Sequence, residues 1–144
     1  MERTSLFETF EHGADIGIRG IGPTLEQAFE NGAKALFSII VINFSSIKPV
    51  NIYQISCFSF DLEPLFTSWI NQLLAEADIN RCIFSDFKIN HLDLDNFRLS
   101  ALAFGEFFDT NRFERGVDVK GATFTELKVY KRDGFWIAQC VVDV

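Results

Sequence analysis

Two stretches of this chain repeat their apolar residues at three-and-four spacing, and that pattern limits the fold more than anything else in the sequence. Leu25, Ala28, Phe29, Gly32, Ala33, Leu36, Phe37 and Ile40 form one stripe. Leu62, Leu65, Phe66, Trp69, Ile70, Leu73, Leu74 and Ala77 form the other. Each predicts an amphipathic helix with one buried face. Thr24 is a natural N-cap for the first, with Gln27 completing a capping box. Asp61 caps the second, and Pro64 falls inside its first turn, where a missing N–H costs little.

The segments around these helices are extended. Phe7–Phe10 and Asp15–Arg19 predict two short strands around a turn at Gly13, with Gly20-Ile21-Gly22-Pro23 breaking the pattern. Asn43–Pro49 is a loop. Asn51–Phe60, Phe84–Leu92 and Phe97–Phe104 predict further strands, the last followed by a turn at Gly105 and a loop over Phe108–Gly116. Val119–Thr123 predicts a short strand or turn. Thr125–Lys131 and Phe135–Val144 predict a hairpin, because Asp133-Gly134 is a strong two-residue turn signal. Helices and strands do not alternate strictly, which favours α+β over a parallel α/β sheet. The expected architecture is two long amphipathic helices packed on a mostly antiparallel sheet, with a crude twofold repeat. No linker or shift in composition divides residues 1–144, so one domain is expected.

Composition narrows the function. The chain has 144 residues, is 48% hydrophobic and carries 17 phenylalanines, so it has ample material for a core. Its formal charge is −7. A protein that grips nucleic acid unaided neutralises phosphates with a basic face, so direct nucleic-acid binding is not expected. Cys57, Cys82 and Cys140 are odd in number and widely spaced, which argues against a disulfide framework or a structural zinc site. They read as reduced core residues of a cytoplasmic protein. Met1–Phe10 shows no basic-then-apolar leader, and Ala35–Phe44 is too short and too interrupted to span a bilayer.

The candidate site lies at the two ends. Glu11-His12-Gly13-Ala14-Asp15 and Val141-Val142-Asp143-Val144 each set a carboxylate within an apolar alternation. Carboxylates brought together repel unless a cation or proton holds them, and hard oxygen donors suit Ca²⁺ or Mg²⁺. A terminal carboxylate at Val144 would be a further donor. The plainer alternative is a turn aspartate and a frayed end. His12 is a candidate for orienting a neighbouring carboxylate, or a turn histidine without chemistry. Lys120 interrupts an apolar stretch, where it could pair with Asp118 or Glu126, meet a phosphate or a partner's carboxylate, or simply face solvent. Gly17-Ile18-Arg19-Gly20-Ile21-Gly22 lacks the order of a phosphate cradle. Two histidines, His12 and His91, leave little room for a nucleophile–base device.

Six segments, taken in order, resemble the archease family, which assists tRNA-splicing RNA ligases of the RtcB type. The family's Asp-His-Thr-Ala-Asp strand is met by Glu11–Asp15, and its Gly-x-Thr-Leu-Glu-x-Ala-Phe helix start by Gly22–Phe29. Its Leu-x-x-Trp-Leu-Asn-x-Leu-Leu helix is met by Leu65–Leu74. Gly105-Glu106-Phe107-Phe108-Asp109 matches a Gly-Glu-x-Phe/Tyr-Asp stretch. Asp118-Val119-Lys120-Gly121-Ala122-Thr123-Phe124 matches Glu-Val-Lys-Ala-x-Thr-Tyr, and Asp143-Val144 the closing pair. The resemblance covers about Phe7 to Val144. Departures are Gly13 for Thr, Asp118 for Glu, Phe124 for Tyr, and Asn111–Glu114 where many members carry a His.

The resemblance implies two related strand-helix-strand-strand units. It implies a divalent-metal site built from Asp15, Asp143 and Val144, with Ca²⁺ the expected ion and Mg²⁺ or Mn²⁺ as alternatives. It ties Asp15, Asp143 and Lys120 to activation of an RtcB-type ligase, with His12 and Asp118 as supporting residues. The implied protein promotes ligase guanylylation and multiple turnover and is not itself an enzyme. One alternative is a chaperone or specificity module for another RNA-modifying enzyme, such as a tRNA methyltransferase. Another is a small metal-dependent hydrolase using the same carboxylates.

Overall fold

The computed structural model describes residues 6–144. The leader reading at Met1–Phe10 therefore falls in part on residues 1–5, outside the described residues. The chain runs β1 (Phe7–His12), β2 (Asp15–Gly22), α1 (Leu25–Ile40), β3 (Asn51–Phe58), α2 (Leu62–Asn80), β4 (Cys82–Asp93), β5 (Arg98–Phe107), β6 (Gly121–Ala122), β7 (Lys128–Arg132) and β8 (Phe135–Asp143). This is the expected α+β class.

Both helices start where the caps predict. The Thr24 hydroxyl accepts from the Gln27 N–H at 3.1 Å. The Gln27 side chain returns to the Thr24 hydroxyl, whose O–H donates to Oε1 at 3.0 Å, rather than to the main chain as a capping box would have it. Asp61 Oδ1 accepts from the Leu62 N–H at 2.7 Å. The second helix ends at Arg81, in the left-handed region at φ 51°, whose N–H caps the carbonyls of Ala77 and Asp78.

The strands form two antiparallel sheets. In one, β1, β2 and β8 lie side by side, and β6 and β7 both pair with the far edge of β8. In the other the order is β3-β5-β4. The two related units are legible in this order. β3-α2-β4-β5 is strand-helix-strand-strand with its last strand between the other two. β2-α1-β7-β8 has the same arrangement, β2-β8-β7. The units are nested, the inner one inserted between α1 and β7 of the outer. That insertion is why the chain's early and late strands end up as neighbours.

Helix α1 packs on β2 of one sheet and β4 of the other, so it is buried on more than one face. Its Phe37 meets Phe84 of β4 edge-on at 5.3 Å, and its Phe29 meets Phe66 of α2 at 5.1 Å. On the other side β2 approaches so closely that a Cβ at Gly20 would stand 2.0 Å from the Ala28 carbonyl oxygen.

Three expectations need correction. Gly20-Ile21-Gly22 continues β2, because the close approach of α1 demands small residues inside the strand. Gly105 is inside β5, where a Cβ would fall 1.8 Å from the Ile83 carbonyl oxygen, and is not a turn. The strand predicted from Thr125 begins at Lys128, since Glu126 sits at φ 54°. The Asp133-Gly134 turn stands as predicted, with both residues at positive φ (52° and 81°), the signature of a type I′ hairpin.

The three cysteines are free, Cys82 and Cys140 buried and Cys57 half-buried. Burial pushes their thiols up from an ordinary 9.0, to about 11 for Cys57 and Cys82 and about 12 for Cys140. Native protein at pH 8 is therefore expected to react with a thiol-specific chromogenic disulfide at least tenfold more slowly than the same protein in denaturant, with Cys140 last. Rapid labelling of Cys140 in native protein would show that β8 opens readily. The linkage has a matching sign: a raised folded pKa leaves stability intact below pH 9 and erodes it as pH climbs toward 12.

Candidate functional site

The site is built by strand register. His12 lies opposite Asp15 across the β1–β2 hairpin. Gly13 takes the first turn position at φ +60°, the Gly-first arrangement that two-residue hairpins favour. Ile16 faces Val142 and Gly17 faces Val141 in the β2–β8 ladder, so the next step outward sets Asp15 beside Asp143. Asp143 in turn faces Gly121 of β6. Directly opposed residues project to the same side of a sheet, so His12, Asp15 and Asp143 form one row across three strands.

Two main-chain bonds tighten the row. The Val144 N–H donates to Asp15 Oδ1 at 3.2 Å, which aims that half-buried carboxylate at the end of β8. The Lys120 N–H donates to the Asp143 carbonyl at 2.8 Å, which fixes the lysine beside the row. Val144 itself packs partly buried against the core. The Asp143 carboxylate is exposed, with no hydrogen bond or ion pair among the described residues. Like charges on facing positions of neighbouring strands repel, so this pairing opposes folding unless something positive answers it.

The structure thus brings Asp15, Asp143, Val144 and Lys120 together. It places His12 in the same row but gives neither His12 nor Asp118 a hydrogen bond to an aspartate among the described residues. Lys120 pairs with neither Asp118 nor Glu126; Glu126 pairs instead with Lys128 at 3.7 Å. No group of three or more His, Cys, Asp or Glu side chains among the described residues is arranged to hold a metal ion. The side-chain donors at the row are two carboxylates, so a hard cation there needs further oxygen donors to fill its shell. That donor set, all oxygen, fits Ca²⁺ or Mg²⁺ and not a soft metal.

Two features escaped the sequence reading. Lys120 and Asp118 line the rim of a broad open groove of about 1320 Å³ between the second half of α2 and the 107–120 segment. The other is Glu106, a buried carboxylate near the end of β5, next in sequence to the groove-lining Phe107. It pairs with Arg112 and accepts from the Lys48 N–H at 2.6 Å, tying the segment after β5 to the loop before β3. The available signal was a charge among Phe104, Phe107 and Phe108; an apolar strand end carries a carboxylate only where a cation answers it.

Solved structures share the nested fold. The solution structure of Protein 1598 of Methanobacterium thermoautotrophicum matches with a TM-score of 0.83 and 30% identity, covering 96% of this chain and 99% of that one. A Thermotoga maritima archease, described as a possible chaperone, matches with a TM-score of 0.64 over 95% of this chain and 96% of its own; at 17% identity it supports the fold alone. These define a class: small α+β proteins of this fold.

Sequence then fixes the family. Residues 7–144 match the archease protein family. Protein archease of Sulfurisphaera tokodaii is 40% identical over 138 residues, covering 96% of this chain and 98% of the relative. That of Pyrococcus furiosus is 41% identical over 140 residues, with the same coverage. The chain belongs to the archease family. No described helix is long and apolar enough to cross a membrane.

Proposed function

We propose that this chain activates an RtcB-type tRNA-splicing RNA ligase, promoting its guanylylation and repeated turnover, and is not itself a ligase. The observation that carries the reading is the row in which Asp15 and Asp143 face each other, with the Val144 N–H on one and the Lys120 main chain on the other. Asp15, Asp143 and the carboxylate at Val144 would hold a divalent cation, Ca²⁺ by preference, which supplies positive charge for phosphate chemistry at the docked ligase. Asp15 is pre-aimed by its bond from Val144, so little side-chain freedom remains to be lost on binding. Lys120 is tied to the row through its main-chain N–H on Asp143, and its ammonium takes part in no ion pair among the described residues. It can meet a GTP phosphate or a ligase carboxylate. The net charge of −7 favours docking at a basic, RNA-binding cleft and raises the encounter rate.

Multiple-turnover ligation with a purified RtcB-type ligase, GTP and a splicing-type RNA tests this. Substoichiometric wild type is expected to raise turnover, and Asp15→Ala, Asp143→Ala and Lys120→Ala to return it to the rate of ligase alone. Full activation by all three variants would remove the site; no effect of wild type would remove the partner. The latter result would favour a chaperone or specificity module for another RNA-modifying enzyme, such as a tRNA methyltransferase. Calorimetric titration with Ca²⁺ is expected to show binding that weakens at least tenfold when residues are appended after Val144.

A further inference from the structure

The groove beside Lys120 is not needed for the row of carboxylates to hold a cation, yet it is a broad concavity of about 1320 Å³. Its apolar lining includes Leu74 and Ala77 from α2, Ile83 from β4 and Phe108. Ligand pockets for small molecules run to about 300–1,000 Å³. At about 1320 Å³, and open to solvent, this groove is oversized for a metabolite and suits a stretch of polypeptide.

Its charge is the reverse of the molecule's. The whole chain has 20 acidic residues against 13 basic ones. The groove is lined by three cations, Arg81, Arg115 and Lys120, against two acids, Asp78 and Asp118. None of the three cations takes part in an ion pair among the described residues. Arg115 is held ready by stacking, its guanidinium carbon 4.3 Å above the Phe108 ring centroid, which leaves the N–H edges free for a carboxylate. Arg81 is fixed at its root as the left-handed cap of α2. The exposed Phe107 stands at the same rim and offers an aromatic face.

We infer that this groove docks an extended segment of a partner protein that carries acidic side chains between aliphatic or aromatic anchors. The apolar lining residues take the anchors, and Arg81, Arg115 and Lys120 take the carboxylates. This goes beyond the cation row and does not rest on it.

Selection of a phage-displayed random twelve-residue peptide library on the immobilised chain tests the inference, followed by fluorescence anisotropy of the selected peptides. Enriched peptides are expected to be rich in Asp and Glu with Leu, Phe or Trp, and to weaken as salt rises. Arg81→Glu/Arg115→Glu should weaken them at least tenfold. Ala75→Trp changes an exposed α2 position on the groove and should block them without touching the core. Circular dichroism of each variant separates lost binding from lost folding. Absence of enrichment, enrichment of basic peptides, or peptides indifferent to both variants would overturn the inference. So would sedimentation showing that Ala75→Trp converts a dimer to a monomer, since the occupant would then be a second copy. Asp143→Ala, which abolishes ligase activation on the reading above, should leave peptide affinity within twofold; equal loss in both assays would also overturn the separate groove.

Discussion

Replacing Gly20 with alanine is expected to lower stability by about 3 kcal/mol or more, at the upper end of what overpacking costs. The added Cβ would lie 2.0 Å from the Ala28 carbonyl oxygen and 2.1 Å from the Gly32 nitrogen. Both are backbone atoms of α1, so no side chain can rotate out of the way. The helix cannot retreat either. It is also pressed against α2, where a Cβ at Gly32 would itself fall 2.7 Å from the Phe66 ring, and against β4 through Phe37. A melting temperature lower by roughly 10 °C is the expected reading for a chain of this size. Gly13→Ala is the control. Nothing lies within 4 Å of its Cβ, but φ is +60°, so only the left-handed backbone penalty of about 1–2 kcal/mol applies. A Gly20 variant that melts with wild type would show that the β2–α1 spacing is soft, and would leave the glycine without a structural role.

That glycine also shows where the sequence misleads. Both helices, their caps, the Asp133-Gly134 hairpin and most strands follow from local chemistry, because each depends on residues within a turn or two of each other. Gly20–Gly22 and Gly105 read locally as breaks. Their real partners, Ala28, Gly32 and Ile83, are set by packing, and a glycine inside a strand is required there by an approach that only three dimensions disclose. Glu126 is the converse. Nothing in Thr125–Leu127 announces a residue at φ 54°, so a strand read from Thr125 is three residues too long at its start.

The candidate site was legible for a different reason. A carboxylate in an apolar strand is conspicuous, and both Asp15 and Asp143 were visible on that ground alone. That they belong together was not local information; it depends on the nested order, which makes β2 and β8 neighbours although 120 residues separate Arg19 from its hydrogen-bonded partner Gln139. The resemblance to a family supplied that pairing, and the register explains it. The groove was invisible because its lining comes from α1, α2, β4 and the 107–120 segment, none of which carries a periodic signal for concavity.

Trp69→Ala is expected to be at least as damaging as Gly20→Ala, for the opposite reason. Trp69 is fully buried where the inner unit's helix meets the outer unit's, and its Nε1–H donates to the Phe29 carbonyl at 2.9 Å. Its ring lies edge-on to Phe87 of β4, with centroids 6.0 Å apart. Truncation leaves a large void among α1, α2 and β4, and aromatic-to-alanine changes in cores cost about 3–5 kcal/mol. Total stabilities of domains are about 5–15 kcal/mol, so the variant sits near the edge of folding. Trp69→Phe separates the two contributions. It keeps most of the packing and loses the indole N–H, so about 1–2 kcal/mol is expected. Trp136→Ala, at a half-buried strand position, should fall well below Trp69→Ala. Urea midpoints at constant slope rank the three variants. If Trp69→Phe proved as costly as Trp69→Ala, the single bond to Phe29 rather than the packed ring would be what joins the two units. If Trp69→Ala cost under about 1 kcal/mol, the helices would be able to close the void, and the nested units would be held together by the packing of α1 on β4 instead.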